Sequence, residues 1–192
     1  MQPLTPADVR SPAAYEPARA DARRQVIELK RHRRVTVGDL ITLVFENRET
    51  VRAVVEELLR AERIDDPERI AEELAVFNSL IPGERELSAT LFLEITDPAE
   101  LASRLGELRG IENSVYLEVE GERIAPSAEP GRERDDRTSS VHYVRFRLND
   151  AQRAAALRGG SIAVVADHPG CSSRTELSDD QRAALAADLL SG

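Results

Sequence analysis

The chain has no tryptophan, one methionine and one cysteine, and aromatic residues fill only 4% of its 192 positions. A lone cysteine, Cys171, cannot close an internal disulfide, so the fold does not depend on an oxidising compartment. So few rings offer little with which to stack bases or anchor an interface. Lysine is equally scarce, Lys30 being the only one among 26 basic residues; we assign that skew to base composition. Acidic residues number 35, and a net charge of -9 with a pI near 5.0 argues against nucleic-acid coating, which needs clustered positive charge. Long apolar runs are missing too. The stretch 162–166 falls far short of the roughly 20 residues that cross a bilayer as a helix. The N-terminal region, punctuated by Pro3, Pro6, Pro12 and Pro17, offers no signal-peptide core. These absences lead us to expect a cytoplasmic protein that meets neither membrane nor nucleic acid. Its partner would be a protein or a small molecule, with self-association left open.

What is present is a hydrophobic fraction of 41%, ordinary for a folded chain, and a length that suits one core. We read 1–16 as a proline-punctuated leader and 17–192 as a single domain. Ala18, Ala22, Val26 and Leu29 share a helical stripe over 17–33. Val35, Val37 and the apolar stretch 40–45 suggest one strand bent at Gly38-Asp39. Asn47 caps a helix carrying Val51, Val55, Leu58 and Leu59, and Asp66-Pro67 opens another. Period-two alternation over 87–95, 115–119 and 142–148 predicts three strands of one sheet, covered by the helix over 51–59. Asp97-Pro98-Ala99-Glu100 reads as a capping box, Gly121 as a hairpin turn, 162–166 as a buried strand, and Asn149 and Ser178 as caps of two further helices. The charged stretch 127–140 is expected to be a mobile loop. The pattern predicts an α+β fold with a largely antiparallel or mixed sheet and helices mainly on one side, a doubly wound parallel sheet being the lesser alternative.

Three groups of residues could carry function. Lys30, Arg31, Arg33 and Arg34 cluster around His32 and could hold an anion or an acidic partner, or simply offset a helix dipole. Glu46 and Glu94 lie at strand ends, which we read as solvated, while Glu56 and Glu57 are expected to pair with Arg52 and Arg60 along their helix. His142 shares a strand face with Val144 and Phe146, and His168 follows Asp167 at a turn, with Cys171 close behind. Antiparallel pairing of the two histidine strands would bring them together. Imidazole and carboxylate suit zinc, iron or manganese, so His142, His168 and Asp167 are candidate ligands of a divalent metal; the alternative is that each histidine is a hydrogen-bonded structural residue.

The segments 26–35, 45–51, 59–64, 78–82, 86–91, 139–146 and 167–169 together resemble a bacterial family, domain of unknown function 3501, over almost the whole chain. The segment 53–58 departs from the glutamine-bearing pattern of that family, and Cys171 stands where an aromatic is expected. The resemblance implies one domain. Through the rubrerythrin-like and iron–sulfur protein genes that neighbour the family's own, it also implies a link to redox or iron metabolism. The expected function is therefore a binding or accessory module in a redox-linked or metal-linked pathway. The competing expectation is a metal-dependent enzyme using His142, His168 and an acid such as Asp167 or Glu46.

Overall fold

The computed structural model describes residues 1–128 and 138–191. Helix α1 (Pro12–Arg31) starts earlier than its apolar stripe suggests, because Ser11 accepts from the Ala14 N–H and Pro12 takes the first helical position; Pro17 lies inside the helix. The residues before it are built into the fold. Leu4 is buried with Val51, Val55 and Leu59 of α2 (Arg48–Glu62) and Ile70 and Leu74 of α3 (Pro67–Phe77), a small core of its own. Asn47 caps α2 by accepting from the Glu49 and Thr50 N–H groups.

The α+β reading holds, and among the described residues every strand pairing is antiparallel, but the strands form two sheets. In the first, β1 (Arg34–Val37), β2 (Ile41–Glu46), β3 (Glu86–Leu93), β7 (Val141–Arg147) and β6 (Pro126–Ala128) lie in that order. In the second the order is β5 (Glu122–Ile124), β4 (Val115–Val119), β8 (Ile162–His168) and β9 (Cys171–Glu176). The segment 115–119, expected beside 87–95 and 142–148, thus belongs to the other sheet. Alternation reports which side of a strand is buried and carries nothing about which partner it chooses. The bent strand over 35–45 is a hairpin: Gly38, at φ 61°, allows the chain to reverse so that Val37 pairs Ile41. Strand β9 escapes sequence reading because its residues, Cys-Ser-Ser-Arg-Thr-Glu, show no apolar alternation at the edge of its sheet.

Inner faces of both sheets share one core. Leu43, Leu91 and Phe146 from the first sheet meet Leu117 and Val164 from the second, and α4 (Leu101–Glu107), α5 (Asp150–Leu157) and α6 (Asp179–Ser191) contribute Leu105, Ala156 and Leu185. Each fully buried leucine there contributes about 1.5–3 kcal/mol. The expected mobile loop is anchored at both ends. Pro126–Ala128 pairs with β7, and buried Thr138 donates its N–H to Leu105 O at 3.1 Å; the remainder of that reading, 129–137, lies outside the described residues. Among the described residues no helix is long and apolar enough to cross a membrane.

Candidate functional site

The basic cluster does not stay together. Arg33 follows α1 into register with Phe45 and turns inward, where its guanidinium grips the Asp188 carboxylate of α6 through both oxygens. Arg34 pairs with Glu94, and Arg31 lies 3.6 Å from Glu28. Lys30 joins Arg19 and Arg23 beside a shallow groove between α1 and α2. A helix followed at once by a strand sends successive side chains in different directions, so Arg33 is buried while Arg31 and Arg34 stay exposed and the five residues do not share one face. Glu56 and Glu57 likewise find partners other than Arg52, which pairs with Glu49. Buried Glu56 takes the Arg10 N–H and guanidinium at 2.6–3.0 Å, and Glu57 takes Arg19 and the Tyr15 hydroxyl as well as Arg60.

The histidines occupy different sheets. Strand β7 pairs with β3 and β6 while β8 pairs with β4 and β9, so the strand pairing that was to bring them together does not form. His142 is buried beside Leu91, its Nε2 lying 2.9 Å from both Thr138 Oγ1 and Ser139 O, its Nδ1 3.9 Å from Glu112. His168 Nδ1 accepts from the Gly170 N–H at 3.0 Å, so its proton is on Nε2, which donates to Arg109 O at 2.9 Å. That arrangement ties a hairpin turn to the end of α4. Asp167 takes Arg123 at 2.7 Å at the surface. Among the described residues no three His, Cys, Asp or Glu side chains gather to hold a metal ion.

The polar constellation that does converge centres on Glu46. Registers Glu46↔Ser88, Ser88↔Arg145 and Arg145↔Ser127 set these four side chains in one row across β2, β3, β7 and β6, on the face turned away from the common core. Thr90 and Tyr143 follow in the adjacent row. Ser79 and Leu80, from the short 3-10 turn Asn78–Leu80 that ends α3, overhang this row and help wall a half-open cavity of about 240 Å³.

Glu46 is only 6% exposed, which overturns its reading as a solvated strand end. Its Oε1 accepts from the Thr90 hydroxyl at 2.7 Å and its Oε2 from the Thr50 hydroxyl. Thr50 lies in the first turn of α2, whose amide dipoles favour a nearby anion. No cationic side chain among the described residues pairs with Glu46: Arg145, the nearest in the row, is held at 3.0 Å by Glu86. Ordinarily a carboxylate withdrawn from water is matched by a cation or a metal. Here it faces a cavity. From sequence Glu46 is a strand-end acid and an alternative partner of the two histidines; the missed signal is that Thr50 and Thr90, both polar at otherwise buried positions, share its side of the fold.

The sequence profile of a family described as protein of unknown function, DUF3501, matches residues 3–189. A crystal structure of a novel protein of unknown function from Burkholderia pseudomallei K96243 superposes with a TM-score of 0.93 at 33% identity, covering 98% of this chain and 100% of that one. No curated protein matches. The cavity is lined from four of the segments that carry the resemblance, 45–51, 78–82, 86–91 and 139–146.

Proposed function

The chain belongs to this family of proteins of unknown function, and from that premise we propose that it is a binding module whose ligand is a small molecule seated in the Glu46 cavity. The observation that carries the reading is a buried carboxylate, supported among the described residues by two threonine hydroxyls but by no cation, facing a half-open cavity. At about 240 Å³ the cavity is below the roughly 300–1,000 Å³ of sites for drug-sized ligands, so its occupant is of fragment size. The walls divide the work. Leu80 offers apolar surface and Ser79, Ser88, Tyr143 and Arg145 supply polar atoms, while Ala89, Ala128 and Val144 turn their side chains to the common core and border the cavity from the strands beneath. The redox-linked or metal-linked setting draws nothing from these walls, which hold no thiol or imidazole.

The test is a fragment screen by ligand-observed NMR against the wild type and Ser127→Trp. Ser127 is exposed on the edge strand β6 at the rim, so an indole there covers the mouth without entering a core. We expect hits that the variant loses. Hits retained undiminished by Ser127→Trp would place binding elsewhere and overturn the reading.

A further inference from the structure

We infer that the ligand of this cavity presents a primary ammonium group to Glu46 and lays a short apolar body along Leu80. The inference rests on the binding-module reading and adds the charge and donor character of the ligand.

Ser88 Oγ donates its only hydrogen to Leu80 O at 2.6 Å, and Ser79 Oγ donates its own to Val76 O at 2.6 Å. Each serine therefore has only lone pairs left to offer. Both oxygens of Glu46 already accept one hydroxyl, and an ionised carboxylate has about four acceptor sites, so each oxygen can take one more donor. This end of the cavity is a field of acceptors around a negative charge. An alcohol brings a single donor and no charge, and a carboxylate would meet a like charge. A primary ammonium brings three donors and the missing cation.

Charge placement agrees. One strand spacing is about 4.8 Å, so Glu46 and Arg145, two strands apart, are anchored about 10 Å from each other. Arg145 is engaged by Glu86, which leaves the carboxylate end as the part of the row without an opposite charge. A quaternary ammonium fits less well. It donates no hydrogen bond and is recognised by several aromatic faces, whereas only Tyr143 is aromatic among these walls.

Three compounds with one carbon skeleton isolate the head group: n-butylammonium, 1-butanol and butanoate, with tetramethylammonium as a cation lacking donors. Binding to the intact protein is followed by calorimetry and by saturation-transfer NMR. We expect n-butylammonium to bind at least about tenfold more tightly than the other three, and Glu46→Gln, which keeps the shape and removes the charge, to erase that preference. Because Glu46→Gln could disturb the Thr50 and Thr90 contacts, Ser127→Trp is measured beside it and is expected to weaken n-butylammonium without touching the carboxylate. If butanol, butanoate or tetramethylammonium binds as well as or better than n-butylammonium, and Ser127→Trp abolishes it, the cavity is a ligand site but the ammonium assignment is wrong. Should none of the four bind and the fragment screen also be empty, both readings fall together.

Discussion

Asp188→Ala should be among the most damaging single substitutions in this chain. Arg33 and Asp188 are 4% and 5% exposed, so each charge has left water almost completely. The guanidinium spends one N–H on each carboxylate oxygen, Nη2 lying 2.9 Å from Oδ1, and Asn47 Nδ2 adds a third contact at 3.3 Å. Alanine removes both acceptor oxygens, and with them all three contacts, and leaves a buried cation with no counter-charge. Breaking such a pair from one side costs about 3–5 kcal/mol, against at most about 1 kcal/mol for an exposed pair. For a domain of this size about 2–4 °C of Tm accompanies each kcal/mol, so the expected fall is about 6–20 °C. The pair is not an optimised one: Arg33 Nε is buried and has no hydrogen-bond partner among the described residues. Replacing both partners by apolar residues, Arg33→Met with Asp188→Leu, should therefore cost less than Asp188→Ala alone, since it also removes that orphaned donor. Thermal and urea denaturation of the wild type, Asp188→Ala and the double variant decide the matter. A Tm loss under about 3 °C for Asp188→Ala, or a double variant worse than the single, would refute the uncompensated-charge argument.

The two adjacent leucines of α2 should separate, because Leu59 is fully buried while Leu58 is half-exposed. Leu59→Ala is expected to cost about 2–5 kcal/mol in urea denaturation and Leu58→Ala clearly less; equal costs would mean that the stripe is misplaced. Burial alone would raise Glu57, but hydrogen bonds from Arg19, Tyr15 and Arg60 outweigh it and hold the carboxyl below its ordinary value near 4.5. Its contribution is fully present above that value and is lost as pH falls through the lower folded one, so the wild type should lose more Tm than Glu57→Gln on acidification from pH 5 to pH 3; parallel losses would count against it. Burial pushes the Cys171 thiol up, with Arg104 only partly opposing it, so at pH 7 its alkylation by iodoacetamide should be slower than that of glutathione. A faster reaction would count against that upward shift.

Local signals and long-range pairing were unequally readable. Asn47, Asp66 and Asn149 announce helix starts because a capping side chain acts within three residues of itself. Strand existence at 87–93, 115–119 and 141–147 follows from alternation, which is also a local property. Sheet membership is not local. Val115 and Val144 carry the same apolar alternation on strands of different sheets. Strands β6 and β9 lie at sheet edges, where the pattern weakens because few of their side chains enter a core.

The same division explains why attention fell on the histidines instead of Glu46. Imidazole is rare and chemically versatile, so His142 and His168 stand out one at a time, and their partners include a hydroxyl, a carbonyl and a turn amide within four residues and the distant carbonyl of Arg109. Glu46 is one acidic residue among 35. What distinguishes it is its row: positions 46, 88, 145 and 127 become neighbours only once three antiparallel registers are fixed, and a slip of one residue in any of them would turn a member of the row to the opposite face. Thr90 then becomes informative, since a threonine on a central strand beside Thr50 makes sense as a donor to a carboxylate held out of water. A buried carboxylate met only by hydroxyls still has acceptor sites to fill, and the cavity before it is where a donor can approach.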